Sequence, residues 1–501
     1  MVRTDSLHPP GLDALTDVYH EFTSEVTDFG EHSHRARLDV LDRLLSAELG
    51  RLTRVAGNAG MPGAGAELAE LLAGMPVYRL YPRPRAPLSA VDAHALDVAY
   101  RSARRSNRCD PERLATVVAA LRDDDGESAA HSEFRERFQQ VSGAAMAKGV
   151  EDTAFYRYVR LVALNEVDCD PERTTSIDEF HAACIRTAAE YPLTQLATTT
   201  HDSKRAEDAR LRVALLAEMP ERWSAAVGRL HAVAERHCGD EAPSPHAEYL
   251  FYQTLVAAHP IDAERAWAYM PKAVREAKEE TSWLEPDAAY EAALERFVRQ
   301  MVADPEVAGE IGTLVEAMTP HWQELSLSQT LIKLTAPGVP DIYQGSELWD
   351  LRLVDPDNRT PVDYDLRRRL LRDVSEGLHD RFMARLDEGL PKLRLIVVTL
   401  AVRARNDDAF ANGSGYQPLP VQGSRSEHAV CFSRRRPDGE SATATIAFRW
   451  PLLLDRTWDD TTVLLPAGPW RNALTGADVD GGKQRLDALL ADAPVALLER
   501  A

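Results

Sequence analysis

Cysteine is sparse in this sequence: five residues in 501 (Cys109, Cys169, Cys184, Cys238 and Cys431), an odd number, widely scattered and without a CxxC pair. That pattern gives no footing for a zinc site or a redox couple and suits a reducing compartment. Positive charge is also short: 58 Lys and Arg face 79 Asp and Glu, a formal net charge of −21, which repels phosphate backbones and anionic membranes. Neither nucleic acid nor membrane is expected as a partner, and a neutral or cationic small molecule is the easier ligand. No run of about 18 apolar residues occurs, and the opening MVRTDSLHPPG has no apolar stretch resembling a secretion signal. A cytoplasmic protein is therefore expected.

What is present is an ordinary globular composition, 44% hydrophobic over 501 residues, with room for about three domains. Leu38, Leu41, Leu45, Leu49 and Leu52 recur at spacings of three and four, which predicts one packing helix from Phe29 to about Ala56. NAGMPGAGAEL carries Gly63 and Gly65 but has Leu68 where a dinucleotide fingerprint needs glycine, so it reads as a loop and helix start. MPVYRLY is β-prone, and a helical pattern then runs to about Gln140, broken by a charged DDDGES loop. From Ala145 to about Asp365 helices alternate with short apolar or threonine-rich pieces, an α/β character. Beyond about Glu376, CFSRRR, TATIAFRW, VLLP and VALLER predict a small antiparallel sheet domain.

The segment LATTTHDSKRAED, Leu196 to Asp208, draws most attention. LATTT suits a short strand, and AEDARLRVALLAE suits a helix with Glu207 and Asp208 in its first turn, where the dipole favours acids. Ser203 is the expected N-cap. His201 and Asp202 would then lie between a strand end and a helix start, where α/β barrels build active sites, with the helix N-terminus and Lys204 favouring ionised Asp202. Three readings compete. Asp202 caps the helix while His201 packs; the pair belongs to a metal-dependent phosphohydrolase, which needs further ligands beyond His181; or an ionised aspartate steadies an oxocarbenium-like transition state at a carbohydrate site.

Four segments carry a resemblance that chooses among them. MAKGVEDTAFYRYVRLVALNEV (Met146 to Val167), TTTHDSKRAED, KLTAPGVPDIYQGSELWDLRLVDPDNRTPVDYDLRR (Lys333 to Arg368) and KLRLI (Lys392 to Ile396) resemble the malto-oligosyltrehalose synthase family of the α-amylase superfamily, glycoside hydrolase family 13, and occur in its order. GYQPLPVQG and HAVCFSRR fit as well. The resemblance implies an isomerase of trehalose biosynthesis, turning the reducing-end α-1,4 bond of a malto-oligosaccharide into an α,α-1,1 bond, with a companion trehalohydrolase downstream. It implies that Asp202 is the transition-state-stabilising carboxylate and that His201 contacts sugar hydroxyls. Lys204, Arg205, Lys148, Glu151, Asp152, Tyr343, Gln344 and Glu347 are the implied substrate-binding residues. Against these stand blander roles: a helix-start charge cluster for Glu151 and Asp152, solvated cations for Lys204 and Arg205, a core position for Tyr343. Trp349 either stacks on a sugar or packs. Asp355, Asp357 and Asn358 suggest calcium, but Arg359 and a missing glycine reject an EF-hand, so no metal is expected. No cofactor is needed, since glycosyl transfer through carboxylates uses none. Asp168 and Cys169 replace an expected glycine pair, and Ser203 and Thr360 an expected threonine and arginine.

One expectation concerns what is missing. A retaining mechanism requires a nucleophile and an acid/base carboxylate about 5 Å apart, and no GxRxDH-like, VEKIL-like or DxVxNH-like segment is found. The superfamily carries those segments in the first part of its barrel, so the resemblance implies an α/β architecture here: a helical insertion region over 1–145, the C-terminal part of a (β/α)8 barrel over 146–375, and a linker helix with a β-rich domain over 376–501. The sequence is expected to be either the C-terminal half of a two-chain synthase or a fragment of one, and to be inactive alone or dependent on the missing N-terminal half, a separate half-chain being the partner in the first case. A noncatalytic α-glucan-binding or scaffolding protein is the alternative.

Overall fold

The computed structural model describes residues 7–83, 86–122, 128–167, 169–237, 243–377 and 381–501. Asp168, Cys238 and most of the DDDGES loop (123–127) lie outside them. Two compact units are formed, one from 25–159 with 272–289, the other from the chain up to Ser24 with 160–271 and 290–501.

The smaller unit is helical. Its core gathers Leu41, Leu52, Leu68, Leu96, Leu114, Phe134 and Phe138, all fully buried. The single helix predicted from Phe29 is two, Phe29–Asp42 and Ser46–Asn58. Leu45 N–H reaches back five residues to the Val40 carbonyl at 2.8 Å, and the Ser46 hydroxyl donates to the Arg43 carbonyl at 3.2 Å, which closes the first helix and re-aims the second. The loop and helix start read in NAGMPGAGAEL is present, with the helix at Gly65–Ala73. MPVYRLY is not a strand: Leu80 N–H goes to the Gln139 side chain at 2.7 Å and Tyr81 N–H to Asp92 at 3.1 Å. Side chains satisfy the donors that a neighbouring strand would otherwise take.

Among the described residues the larger unit holds all the strands and most of the remaining helices. Pro305–Thr335 runs for 31 residues, capped by Asp304, whose carboxylate accepts the Glu306 N–H at 2.8 Å. From Trp322 to Thr335 every residue of this helix is buried, as in a helix enclosed on all sides. Strands β1 (Gln195–Leu196) and β2 (Val339–Pro340) pair in parallel. Gly338, at φ +131°, permits this pairing, because a Cβ there would stand 2.7 Å from the Thr194 carbonyl oxygen. Parallel pairing is confined to these two short strands among the described residues, and LATTT contributes only Leu196 to it.

The antiparallel C-terminal sheet is as expected. Its strands are β3 (Gly415–Pro418), β4 (Val421–Gln422), β5 (Ala429–Arg435), β6 (Ser441–Phe448), β7 (Thr462–Asn472), β8 (Asp478–Arg485) and β9 (Ala496–Arg500), ordered β3-β5-β6-β9-β7-β4 with β8 on β7. Cys431, Ile446, Val463, Trp470 and Leu497 form its core with Leu327 and Leu331 of the long helix. The Ser328 hydroxyl joins the two by donating to the Phe448 carbonyl at 2.6 Å and accepting its N–H at 3.0 Å. No helix among the described residues is long and apolar enough to cross a membrane.

Candidate active site

The HDSK turn is built from its own hydroxyls. Thr200 N–H donates to Ser203 Oγ at 2.9 Å, and Asp202 N–H to Thr200 Oγ1 at 3.3 Å. Ser203 therefore closes a turn and does not cap the helix. That helix is Glu207–Ala214, and the residue before it is Ala206, without a capping side chain. The reading in which Asp202 caps a helix and His201 packs fails for the same reason: the two side chains are 76% and 72% exposed, with His201 Nε2 3.2 Å from Asp202 Oδ2. An acid and an imidazole stand together at the tip of a turn, open to a ligand.

A second segment braces that turn. Asn358 Nδ2 donates to the His201 carbonyl at 2.9 Å, Ala206 N–H donates to the Arg352 carbonyl at 2.9 Å, and Arg205 pairs with Leu353 as an antiparallel bridge. The segment owes its shape to Asp357, whose carboxylate takes Arg265 in two hydrogen bonds of 2.9 and 2.8 Å and the Leu353 N–H at 2.7 Å. The DPDNR loop is thus a rigid polar brace.

The other expected contacts are distributed unevenly. Lys204 and Arg205 are buried, 7% and 3% exposed: Lys204 N–H donates to Glu166 at 3.0 Å, and the Arg205 guanidinium donates to Tyr269 Oη at 2.8 Å. Solvated cations they are not. Tyr343 is half-buried and Gln344 exposed, so the core reading of Tyr343 also fails. Glu347 accepts from the Gly345 N–H at 3.0 Å and from Arg367 at 2.9 Å, which braces its own loop. Trp349 packs: its indole donates to the Leu386 carbonyl at 2.6 Å and its ring lies edge-on to Trp322 at 5.3 Å.

Lys148, Glu151 and Asp152 belong to the smaller unit. They lie on a π-helix, Ala147–Ala154, a form that recurs at functional sites. The wide turn is held by the Thr153 hydroxyl, which donates to the Lys148 carbonyl five residues back at 2.7 Å. Lys148 pairs with Asp152 at 2.7 Å, and Glu151 takes the Tyr78 hydroxyl.

Sequence reasoning missed the layer beneath the turn. Glu207 and Asp208, expected as dipole acids, are buried at 2% and 0% exposure, and meet Lys333 and Lys392 from distant helices. Burial opposes the charge on Glu207, but the two ammonium groups outweigh it and hold its carboxyl well below the usual range. Beside them Arg210 donates to Glu166 at 3.0 Å, to the Arg205 carbonyl at 2.5 Å and to the Thr198 carbonyl. One signal was available: Lys333 and Lys392 head two of the recognised segments.

Comparison with known proteins decides the relationship. Two proteins of Mycobacterium tuberculosis (strains CDC 1551 / Oshkosh and H37Rv) bearing the name maltooligosyl trehalose synthase are each 35% identical over 469 residues, 91% of this chain. The maltooligosyltrehalose synthase structure from Arthrobacter ramosus is 35% identical and superposes on all of it with a TM-score of 0.88. This chain is a homologue of the maltooligosyl trehalose synthases. It spans 56% of the length of these curated relatives and 62% of the Arthrobacter synthase. A Sulfolobus tokodaii protein described as a hypothetical maltooligosyl trehalose synthase, 24% identical with a TM-score of 0.77, shares the synthase fold. No family model matches.

Proposed function

We propose that Asp202 is the transition-state-stabilising carboxylate of a maltooligosyl trehalose synthase reaction and that His201 holds hydroxyls of the same sugar. The supporting observation is the exposed, uncapped carboxylate on a turn whose backbone is fixed by Asn358 and Arg352. Such a group is spared for a ligand.

In this reading a nucleophilic carboxylate attacks the anomeric carbon, the α-1,4 C–O bond breaks, and a carboxylic acid protonates the departing glucose oxygen. The released glucose turns, its anomeric hydroxyl attacks the glycosyl ester, and its proton returns to the acid. The net change is isomerisation, with water kept out. Asp202 faces the positive charge at the ring in both steps. Tyr343 and Gln344 frame the sugar in the same unit. We assign the nucleophile and the acid to the N-terminal half of the synthase, since no segment of this sequence resembles those that carry them in the family.

The test supplies maltopentaose to the purified chain, with and without the N-terminal half of a homologous synthase, and follows loss of reducing ends. Turnover is expected only in the mixture. There Asp202→Asn should lower kcat about 10²-fold or more with KM little changed, as removal of a transition-state contact does. Robust turnover by the chain alone overturns the assignment to the N-terminal half, and an undiminished kcat in Asp202→Asn overturns the role of Asp202. Glucan binding without turnover in any mixture, unaffected by Asp202→Asn, would instead mark a noncatalytic glucan-binding protein.

A further inference from the structure

We infer that Lys392 is a positioning residue that fixes the HDSK turn and its brace to one another; the catalytic consequence rests on the reading of Asp202 given above, the geometry does not. Lys392 is fully buried, on the helix Leu390–Arg405. Its ammonium group lies 2.7 Å from Glu207 Oε1 and 2.9 Å from Asp208 Oδ2, with the Leu348 carbonyl at 3.4 Å. One cation thus bridges two adjacent carboxylates, and each carboxylate leads to a different part of the site.

The Glu207 arm runs to the turn. Its carboxylate accepts the Thr198 hydroxyl, and its N–H donates to Thr199 Oγ1 at 3.0 Å. Those threonines enter HDSK. The Asp208 arm runs to the brace: its carboxylate accepts the Asp350 N–H at 2.7 Å and the Ser326 hydroxyl at 2.5 Å. Two residues on, Arg352 receives Ala206, and Asn358 then holds His201.

The two lysines have unequal duties. Lys333 reaches only the first arm, at 3.3 Å from Glu207 and 2.8 Å from Thr198 Oγ1. Without Lys392, Glu207 keeps a directly bonded cation and Asp208 keeps only the weaker field of Arg212, while both remain buried side by side. An uncompensated carboxylate in such a place must take a proton or admit water, and either loosens the hydrogen bonds it accepts. Removal of Lys392 therefore frees the Asp208 arm and weakens the Glu207 arm, which drops from two cations to one, whereas removal of Lys333 weakens the Glu207 arm alone.

Hydrogen exchange on the purified chain reads this directly. In Lys392→Met, amides of 198–206 and of 346–353 should exchange about tenfold faster or more, with those of β5 and β6 unchanged; Lys333→Met should accelerate 198–206 alone. Asp208→Asn, which retains the cation, should accelerate 346–353 alone and serves if Lys392→Met does not fold. Lys392→Arg should restore protection to both segments. In the mixed enzyme Lys392→Met should lower kcat about tenfold or more and leave KM within about twofold, the pattern of a misplaced transition-state contact. Unchanged exchange in either segment, or faster exchange spread equally through the sheet, overturns the inference. Altered exchange with no effect on kcat leaves the clamp standing and refutes the role assigned to Asp202.

Discussion

Replacing Glu218 with glutamine isolates a buried charge from the packing around it. The residue is 8% exposed. One carboxyl oxygen accepts the backbone N–H groups of Leu452 at 2.9 Å and Leu453 at 3.2 Å, and the other has no hydrogen-bond partner. Burial pushes this acid up to about 8, against the pull of those two amides. A carboxyl group that holds its proton more tightly in the folded than in the unfolded chain lowers stability as pH rises. The loss begins near the ordinary value of 4.5 and is complete above about 8. At about 1.4 kcal/mol per pKa unit, that window corresponds to a ceiling of about 5 kcal/mol.

Glutamine keeps the shape and the acceptor oxygen but does not titrate. The stability difference, wild type minus Glu218→Gln, should therefore fall by several kcal/mol between pH 5 and pH 9. Urea unfolding followed by tryptophan fluorescence reads it, since every tryptophan except Trp283 lies in the larger unit. With an m-value of about 3 kcal/mol/M, the full effect moves the relative midpoint by about 1.7 M. Parallel pH profiles for the two proteins would show that burial does not keep this acid neutral, and the reasoning would fail.

Two further outcomes follow from close packing and from fork geometry. Gly149→Ala would place a Cβ 2.4 Å from Arg37 Cγ and 2.8 Å from Arg37 Cα; a main-chain carbon cannot step aside, so the smaller unit should lose about 2 kcal/mol or more, seen as earlier proteolysis within 25–159 on heating. Arg265→Lys keeps the charge but loses the two-pronged grip on Asp357 and the bond of 2.7 Å to the Leu351 carbonyl. It should cost about 2 kcal/mol and expose 350–359 to hydrogen exchange; unchanged protection there would remove Asp357 as the origin of the brace.

Local pattern carried some elements and misled on others. The C-terminal strands were legible because short β-rich runs were punctuated by Gly, Pro and Asp turns, and CFSRRR and TATIAFRW became adjacent strands β5 and β6. The break at 43–45 was invisible, since leucines on both sides keep the same spacing and only the backbone bonds of the turn, with the Ser46 hydroxyl on the Arg43 carbonyl, show the interruption. LATTT looked like a strand because threonine is β-branched, yet Thr198 and Thr199 spend their hydroxyls on Glu207. His201 and Asp202 were singled out because their setting is a motif. The clamp was not, because Lys392 stands 184 residues from Asp208 and periodicity says nothing about partners so far apart.

The contrast between an exposed acid and a buried clamp also bears on when Asp202 can act. Two unit charges 4 Å apart attract by about 1 kcal/mol in water and by about 4 kcal/mol in a partly desolvated site. The difference, about 3 kcal/mol, is worth about 10² in rate. At 72% exposure Asp202 sits in the first regime, so its position is prepared but its field is not. The buried charges below fix the turn in advance, and exclusion of water above it has to come with the sugar and whatever closes over it. Hence Asp202→Asn should barely alter maltopentaose binding to this chain alone and should cost about 10² in kcat only in the water-excluding enzyme. An equal loss in both settings would make Asp202 an ordinary binding residue.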